Sequence, residues 1–160
     1  DAEYIVSDTM NLWIDLSPEK LRDVLKLTRI FLINHEEAEQ FTGKKDIGEA
    51  GRELLYLGPE VVVIKSGSEG AYLAHGNEKF HVPVFPIDKV LDPTGAGDSF
   101  AGGLMAYLAT AEKIDYLEAV ISGSAMASFC VEGFGLEGLL KANSQSMQER
   151  VDKIRELSTL

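Results

Sequence analysis

The chain has 160 residues, 45% hydrophobic and 26% charged, which is the size and composition of one globular domain able to bury a core and not of a disordered segment. Its formal net charge of −11 and pI near 4.7 exclude a surface built to neutralise nucleic-acid phosphates or anionic membranes, since both need clustered Lys and Arg. A single cysteine, Cys130, leaves no internal disulfide, and its apolar surroundings in SAMASFCV predict burial.

In chain order, short β-rich runs alternate with helix-period segments. YIVSD is followed by helix-like PEKLRDVLKL, then RIFLIN, EEAEQFTG, helix-like DIGEAGRELLYLG and VVVIK, a βαβαβ pattern. Val61-Val-Val-Ile64 is continuously apolar, as a strand covered on both faces must be, which predicts a parallel sheet between helical layers. Pro18 opens the first helix, and Gly43 and Gly58 close later ones. GAYLAHG and KFHVPVF follow, with Gly76-Asn77 between them as a hairpin signal, so an antiparallel excursion is expected at the sheet edge. The remainder reads as helices over roughly 98–110, 116–129 and 146–157. The strand-like start at Tyr4 reads as a fragment opening mid-fold, whereas the C-terminal helix reads as a complete end. No linker or repeat divides residues 1–160, so one α/β domain is expected.

No run reaches the roughly 18 to 20 apolar residues of a membrane helix. DAEYIVSD also lacks the basic and apolar regions of a signal peptide, and the expected location is the cytoplasm. The oligomeric state is left open, a homodimer included.

The chemistry concentrates in DPTGAGDSFAGG, from Asp92 to Gly103, a glycine-rich turn with an acid on each side before a helix-like run. Gly95, Ala96 and Gly97 leave the backbone nearly unshielded where a helix begins, so their N–H groups can converge on an anion with the helix dipole behind them. Asp98 would repel a resting phosphate unless it has a task, and accepting a hydroxyl proton during phosphoryl transfer is one. The plain alternative is that Asp98 only charges the helix start. Three other motifs fail on spacing. Phe100 stands where G-x-G-x-x-G needs its third glycine, no Gly-Lys-Ser/Thr follows, and Ser99 lacks the flanking glycines of a nucleophile elbow.

This stretch closely resembles the C-terminal signature of the ribokinase-like, or PfkB, carbohydrate kinase family, D-T-x-G-A-G-D before a small-residue helix, with Pro93 where many members have Thr. The resemblance implies a three-layer α/β/α ribokinase-like (Rossmann-like) domain with a mostly parallel sheet, lacking the N-terminal half and lid of a typical member. It implies Asp98 as general base and the N–H groups of Gly95, Ala96 and Gly97 as the anion hole. The reaction implied is transfer of the γ-phosphate of ATP, with Mg²⁺, to a hydroxyl of a small sugar or nucleoside acceptor. The other outcome is a nucleotide-binding fragment without catalysis, and a vitamin-like alcohol is a further acceptor class.

Three more segments match the family in order. Asn34-His-Glu-Glu37, at the end of RIFLI, resembles its N-x-x-E motif, in which Asn34 and Glu37 would organise Mg²⁺, water and phosphate; the plain reading is a helix cap. Lys65-Ser-Gly-Ser-Glu-Gly70 resembles the strand-end x-x-G-x-x-G turn against the nucleotide, with Lys65, Ser66, Gly67 and Gly70 as candidates, or is a simple turn. The segment 128–135 has the position of the loop bordering adenine and, in many members, a monovalent cation, for which Asp92 and Thr94 could supply oxygens to K⁺. Asp8 and Asn11 sit in a polar strand end similar to the D-x-N region lining the cleft toward substrate, or in a surface turn with Trp13 on its edge. His35, His75 and His81 have no metal-ligand spacing and read as surface or turn residues.

Overall fold

Two continuously apolar runs form the centre of the sheet, because only strands covered on both faces can hold them out of water. In the computed structural model, which describes residues 4–158, β1 (Val6–Asp8), β2 (Ile30–Asn34) and β3 (Val61–Lys65) run parallel, Ile30 opposite Val61 and Asn34 opposite Lys65. β4 (Ala71–His75) returns antiparallel to β3, and β5 (Glu78–Val82) completes the order β1-β2-β3-β4-β5. Gly76, at φ +56°, supplies the hairpin turn that the Gly-Asn pair predicts. β5 stops at Val82, short of the KFHVPVF run, because Pro83 has no N–H for a ladder.

The chain forms two compact units, one running to Gly67 and including Ala71–His81, the other made of Ser68–Gly70 and the chain from Val82 onward. In the first, α2 (Pro18–Leu25), α3 (His35–Thr42) and α4 (Ile47–Leu55) bury Leu21, Leu25, Ala38 and Leu54 with Phe31, Ile33, Val62 and Ile64 of the sheet. Each of the Leu, Ile, Val and Phe side chains taken from water contributes about 1.5–3 kcal/mol. Pro18 occupies the first turn of α2, and Gly43, at φ +71°, closes α3 in the left-handed conformation. The stretch after β1 departs from the sequence expectation of a strand end or turn: Asn11–Leu16 winds into a short helix, α1, because Ile14 has a place in the core to fill.

The second unit contains α5 (Ala96–Thr110), α6 (Tyr116–Cys130) and α7 (Ser144–Ser158), with α5 and α7 each starting two residues before their expected positions. α5 and α6 approach closely through glycine. A Cβ on Gly103 would lie 2.7 Å from the Ser122 carbonyl oxygen, and one on Gly123 would lie 2.8 Å from that of Phe100. From α7, the Arg150 guanidinium stacks 3.6 Å from the Phe129 ring centroid, donates to Ser128 Oγ at 2.8 Å and pairs with Glu132. Among the described residues, no helix is long and apolar enough to cross a membrane.

Candidate active site

The glycine turn of the second unit is a helix start without a side-chain cap. Gly95 is the N-cap of α5, at φ +80° and ψ 2°, a conformation that costs a residue with a Cβ roughly 1–2 kcal/mol. The Ser99 amide donates to the Gly95 carbonyl at 2.8 Å, while the Ala96 amide turns back to the Pro93 carbonyl at 3.1 Å. Ala96 is thus engaged within the turn, and helix geometry leaves the amides of Gly97 and Asp98 without an intrahelical acceptor. These two N–H groups, at the positive end of a 15-residue helix, suit an anion. The Asp98 side chain is exposed in the same first turn.

The turn is held from below by its own chain. Asp92 Oδ1 accepts the Thr94 amide at 2.9 Å, and the backbone and side-chain hydrogen bonds from Thr94 hold its carboxyl below the usual range. The buried Cys130 thiol donates to the Thr94 carbonyl at 3.3 Å, and the Val131 carbonyl accepts the Leu91 amide at 2.8 Å. Asp92 and Thr94, the candidate K⁺ ligands, therefore each commit an oxygen to the turn itself. Sequence reasoning assigned Cys130 to the core and missed its place beneath the turn, for which a lone cysteine carries no signal.

The first unit gathers its candidates where β1, β2 and β3 end, the carboxyl edge at which parallel sheets collect ligands. Asn34 and Glu37 form a capping box: the Asn34 side chain accepts the Glu37 amide at 2.8 Å, and the Glu37 carboxylate accepts the Asn34 amide at 3.1 Å. Glu37 is only 4% exposed. Burial raises its pKa most and Asp8 adds to that, against the opposing Asn34 amide, Lys65 and the Asn11 amide. Lys65 reaches across to pair with Asp8 at 2.5 Å, so its ammonium is shared with the end of β1. The Asn11 side chain donates to Gln40 at 3.4 Å.

Each of these three strand ends also leaves one buried side-chain atom without a hydrogen-bond partner: Thr9 Oγ1, His35 Nε2 and Ser66 Oγ. Buried polar atoms of this kind are uncommon and require an explanation, a bound ligand or water among them. His35, read from the sequence as a turn residue, is thus part of the strand-end group; its position directly after Asn34 was the available clue. In the following turn, Gly67 at φ +55° opens on empty space, whereas a Cβ on Gly70 would meet the Val82 carbonyl oxygen at 2.2 Å. The room left by Gly70 is filled by the chain itself.

The donors suit Mg²⁺ rather than a metal that needs a protein cage. No group of three or more His, Cys, Asp or Glu among the described residues could hold an ion, yet Mg²⁺ binds through one or two carboxylates with water and phosphate oxygens. In Glu37 one carboxylate oxygen accepts the Asn34 amide.

Comparison with known proteins places this geometry. The model of the pfkB family of carbohydrate kinases matches residues 4–142. An uncharacterized sugar kinase of Archaeoglobus fulgidus is 38% identical over 122 residues, covering 74% of this chain and 46% of that relative. The solved structure of aminoimidazole riboside kinase from Salmonella enterica, complexed with aminoimidazole riboside and an ATP analog, superposes with a TM-score of 0.77 at 27% identity, covering 92% of this chain and 52% of that one. A structure described as a "putative Ribokinase II" from E. coli, in complex with ATP and Mg²⁺, superposes with a TM-score of 0.78 at 26% identity, covering 94% and 49%. The chain thus spans about half the length of these relatives. Fold, family match and signature agree, and the chain belongs to the pfkB family of carbohydrate kinases.

Proposed function

We propose that the protein containing this chain transfers the γ-phosphate of ATP to a hydroxyl of a sugar or nucleoside. The observation that carries the reading is the uncapped start of α5 at Gly95, with the Gly97 and Asp98 amides and the Asp98 carboxylate in one helical turn. Asp98 accepts the acceptor's hydroxyl proton as its oxygen forms the new bond to phosphorus and ADP departs. The Gly97 amide, supported by the Gly95 and Ala96 backbone, stabilises the negative charge of the transferred group. Glu37 and Asn34 would hold Mg²⁺ through water, which would supply positive charge against the phosphates. Lys65, Ser66, Gly67 and Gly70 are assigned to the nucleotide, Asp8 and Asn11 to the acceptor. A K⁺ role for Asp92 and Thr94 is secondary to their bonds within the turn.

ATP-dependent transfer to a panel of sugars and nucleosides tests this. In the active protein, Asp98→Asn lowers kcat by about 10²–10⁴-fold with ATP affinity retained; near-normal turnover by that variant would refute the assignment. A second reading, a nucleotide-binding fragment without turnover, is favoured by the half-length match to the relatives. ATP binding without transfer by the 160 residues alone supports it.

A further inference from the structure

The three cations of α7, in the second unit, are not treated alike. Lys153 and Arg155, with side chains 48% and 45% exposed, pair with acids at the surface, whereas the Arg150 side chain is only 14% exposed. Val151 and Ile154 already supply the buried apolar face of α7, so packing alone does not call for a cation beside them. Taking a guanidinium out of water is costly unless acceptors and ring faces replace the water it loses.

Two stretches of chain supply the replacement. The guanidinium lies over the Phe129 ring at 3.6 Å and over the Phe85 ring at 4.6 Å from the centroids, while Nη1 donates to Ser128 Oγ at 2.8 Å and Nη2 to Glu132. Ser128, Phe129 and Glu132 lie at the end of α6 and just past it; Phe85 lies in the connection from β5 to the glycine turn. The Ser124 hydroxyl, one turn earlier in α6, donates to the Pro83 carbonyl of the same connection at 3.4 Å.

The two residues enclosed by these contacts carry the turn. Cys130 Sγ donates to the Thr94 carbonyl, and the Val131 carbonyl, at a helix end that leaves its last acceptors free, takes the amides of Leu91 and Asp92. Arg150 thus grips α6 at positions 128, 129 and 132, on either side of the residues on which the turn rests.

We propose that Arg150 is a positioning residue for the glycine turn: by joining the end of α6 to the connection at Phe85, it holds Asp92–Gly97 where the Gly97 and Asp98 amides meet the transferred phosphoryl group. Its effect on rate rests on the phosphotransfer reading; its effect on the turn does not.

Amide hydrogen exchange reads the turn without any substrate. In the 160-residue chain, Arg150→Met should speed exchange several-fold at Leu91 and Thr94, whose amides bond to Val131 and Asp92, while Leu104 of α5 and Ile121 of α6 keep their wild-type rates. Unchanged exchange at Leu91 and Thr94 overturns the inference. An equal rise at all four amides also overturns it, since Arg150 would then only stabilise the packing of the unit. If Arg150→Met does not fold, Glu132→Gln, which keeps the volume and removes the ion pair, should give the same pattern at smaller amplitude, and wild-type exchange in that variant overturns the inference. In the active protein, Arg150→Met should lower kcat roughly 10- to 100-fold with the KM for ATP near its wild-type value, because the turn acts on the transferred group and not on nucleotide binding. A raised KM with kcat unchanged overturns the inference. Faster exchange at Leu91 and Thr94 in a protein whose wild type transfers no phosphate refutes the phosphotransfer reading alone, whereas wild-type exchange in the variant of an active kinase refutes the positioning role alone.

Discussion

Glu37 and Asp98 are acids in the first turns of two helices, and the chain treats them in opposite ways. Glu37 is buried and completes a capping box, whereas Asp98 is exposed below an N-cap that has no side chain. The Asn34-x-x-Glu37 spacing suits both a cap and a ligand site, since each needs a short amide and a carboxylate three residues apart; the fold shows the cap formed. Burial raises the folded-state pKa of Glu37, so its protonated form is favoured by folding. The contribution of Glu37 to stability is therefore greatest below the ordinary value of 4.5 and is lost as pH rises through the folded pKa. Glu37→Gln keeps an acceptor for the Asn34 amide but does not titrate. Urea unfolding from about pH 4.5 to 7 should show wild type losing stability relative to Glu37→Gln as pH rises, and parallel curves would remove the buried-acid account.

At the scale of elements, the strands were the most legible part of the sequence. RIFLIN and VVVIK read as strands, the second covered on both faces, and Gly76-Asn77 announced the hairpin. α1 was not legible, because DTMNLW has too few residues for a helical period and its winding depends on a core position for Ile14. The Gly102-Gly103 pair was also opaque: both glycines read as part of a small-residue helix, but only one faces α6. A Cβ on Gly102 meets nothing within 4 Å, while one on Gly103 would lie 2.7 Å from both the Met126 Cβ and the Ser122 carbonyl oxygen. Gly102→Ala should accordingly stabilise by about 0.5–1 kcal/mol through lower chain entropy. Gly103→Ala should destabilise by about 1–3 kcal/mol through overpacking. Chemical denaturation of the two variants checks the opposite signs, and equal shifts would deny that the interhelical approach requires glycine.

For the molecule as a whole, a net charge of −11 on 160 residues makes self-repulsion a standing cost of the folded state. Raising sodium chloride from about 0.01 M to about 0.15 M shortens the screening length from roughly 30 Å to roughly 8 Å, so the thermal midpoint should rise; a flat or falling midpoint would mean that local ion pairs such as Arg155–Glu118 dominate. Family and fold were visible at this scale because the glycine signature is long and ordered. The phosphate acceptor was not, since the chain spans only about half of its relatives. The buried thiol beneath the glycine turn offers a way to time the motions of that turn. Cys130 is 2% exposed, its sulfur donates to the Thr94 carbonyl, and it lies 3.7 Å from where a Cβ on Gly95 would be. A covalent thiol probe reaches it only on a local opening that exposes the sulfur, so the rate of labelling is a clock for that opening. If ATP holds the turn, the clock slows in its presence, whereas labelling as fast as a free thiol would show that Cys130 is not buried in solution.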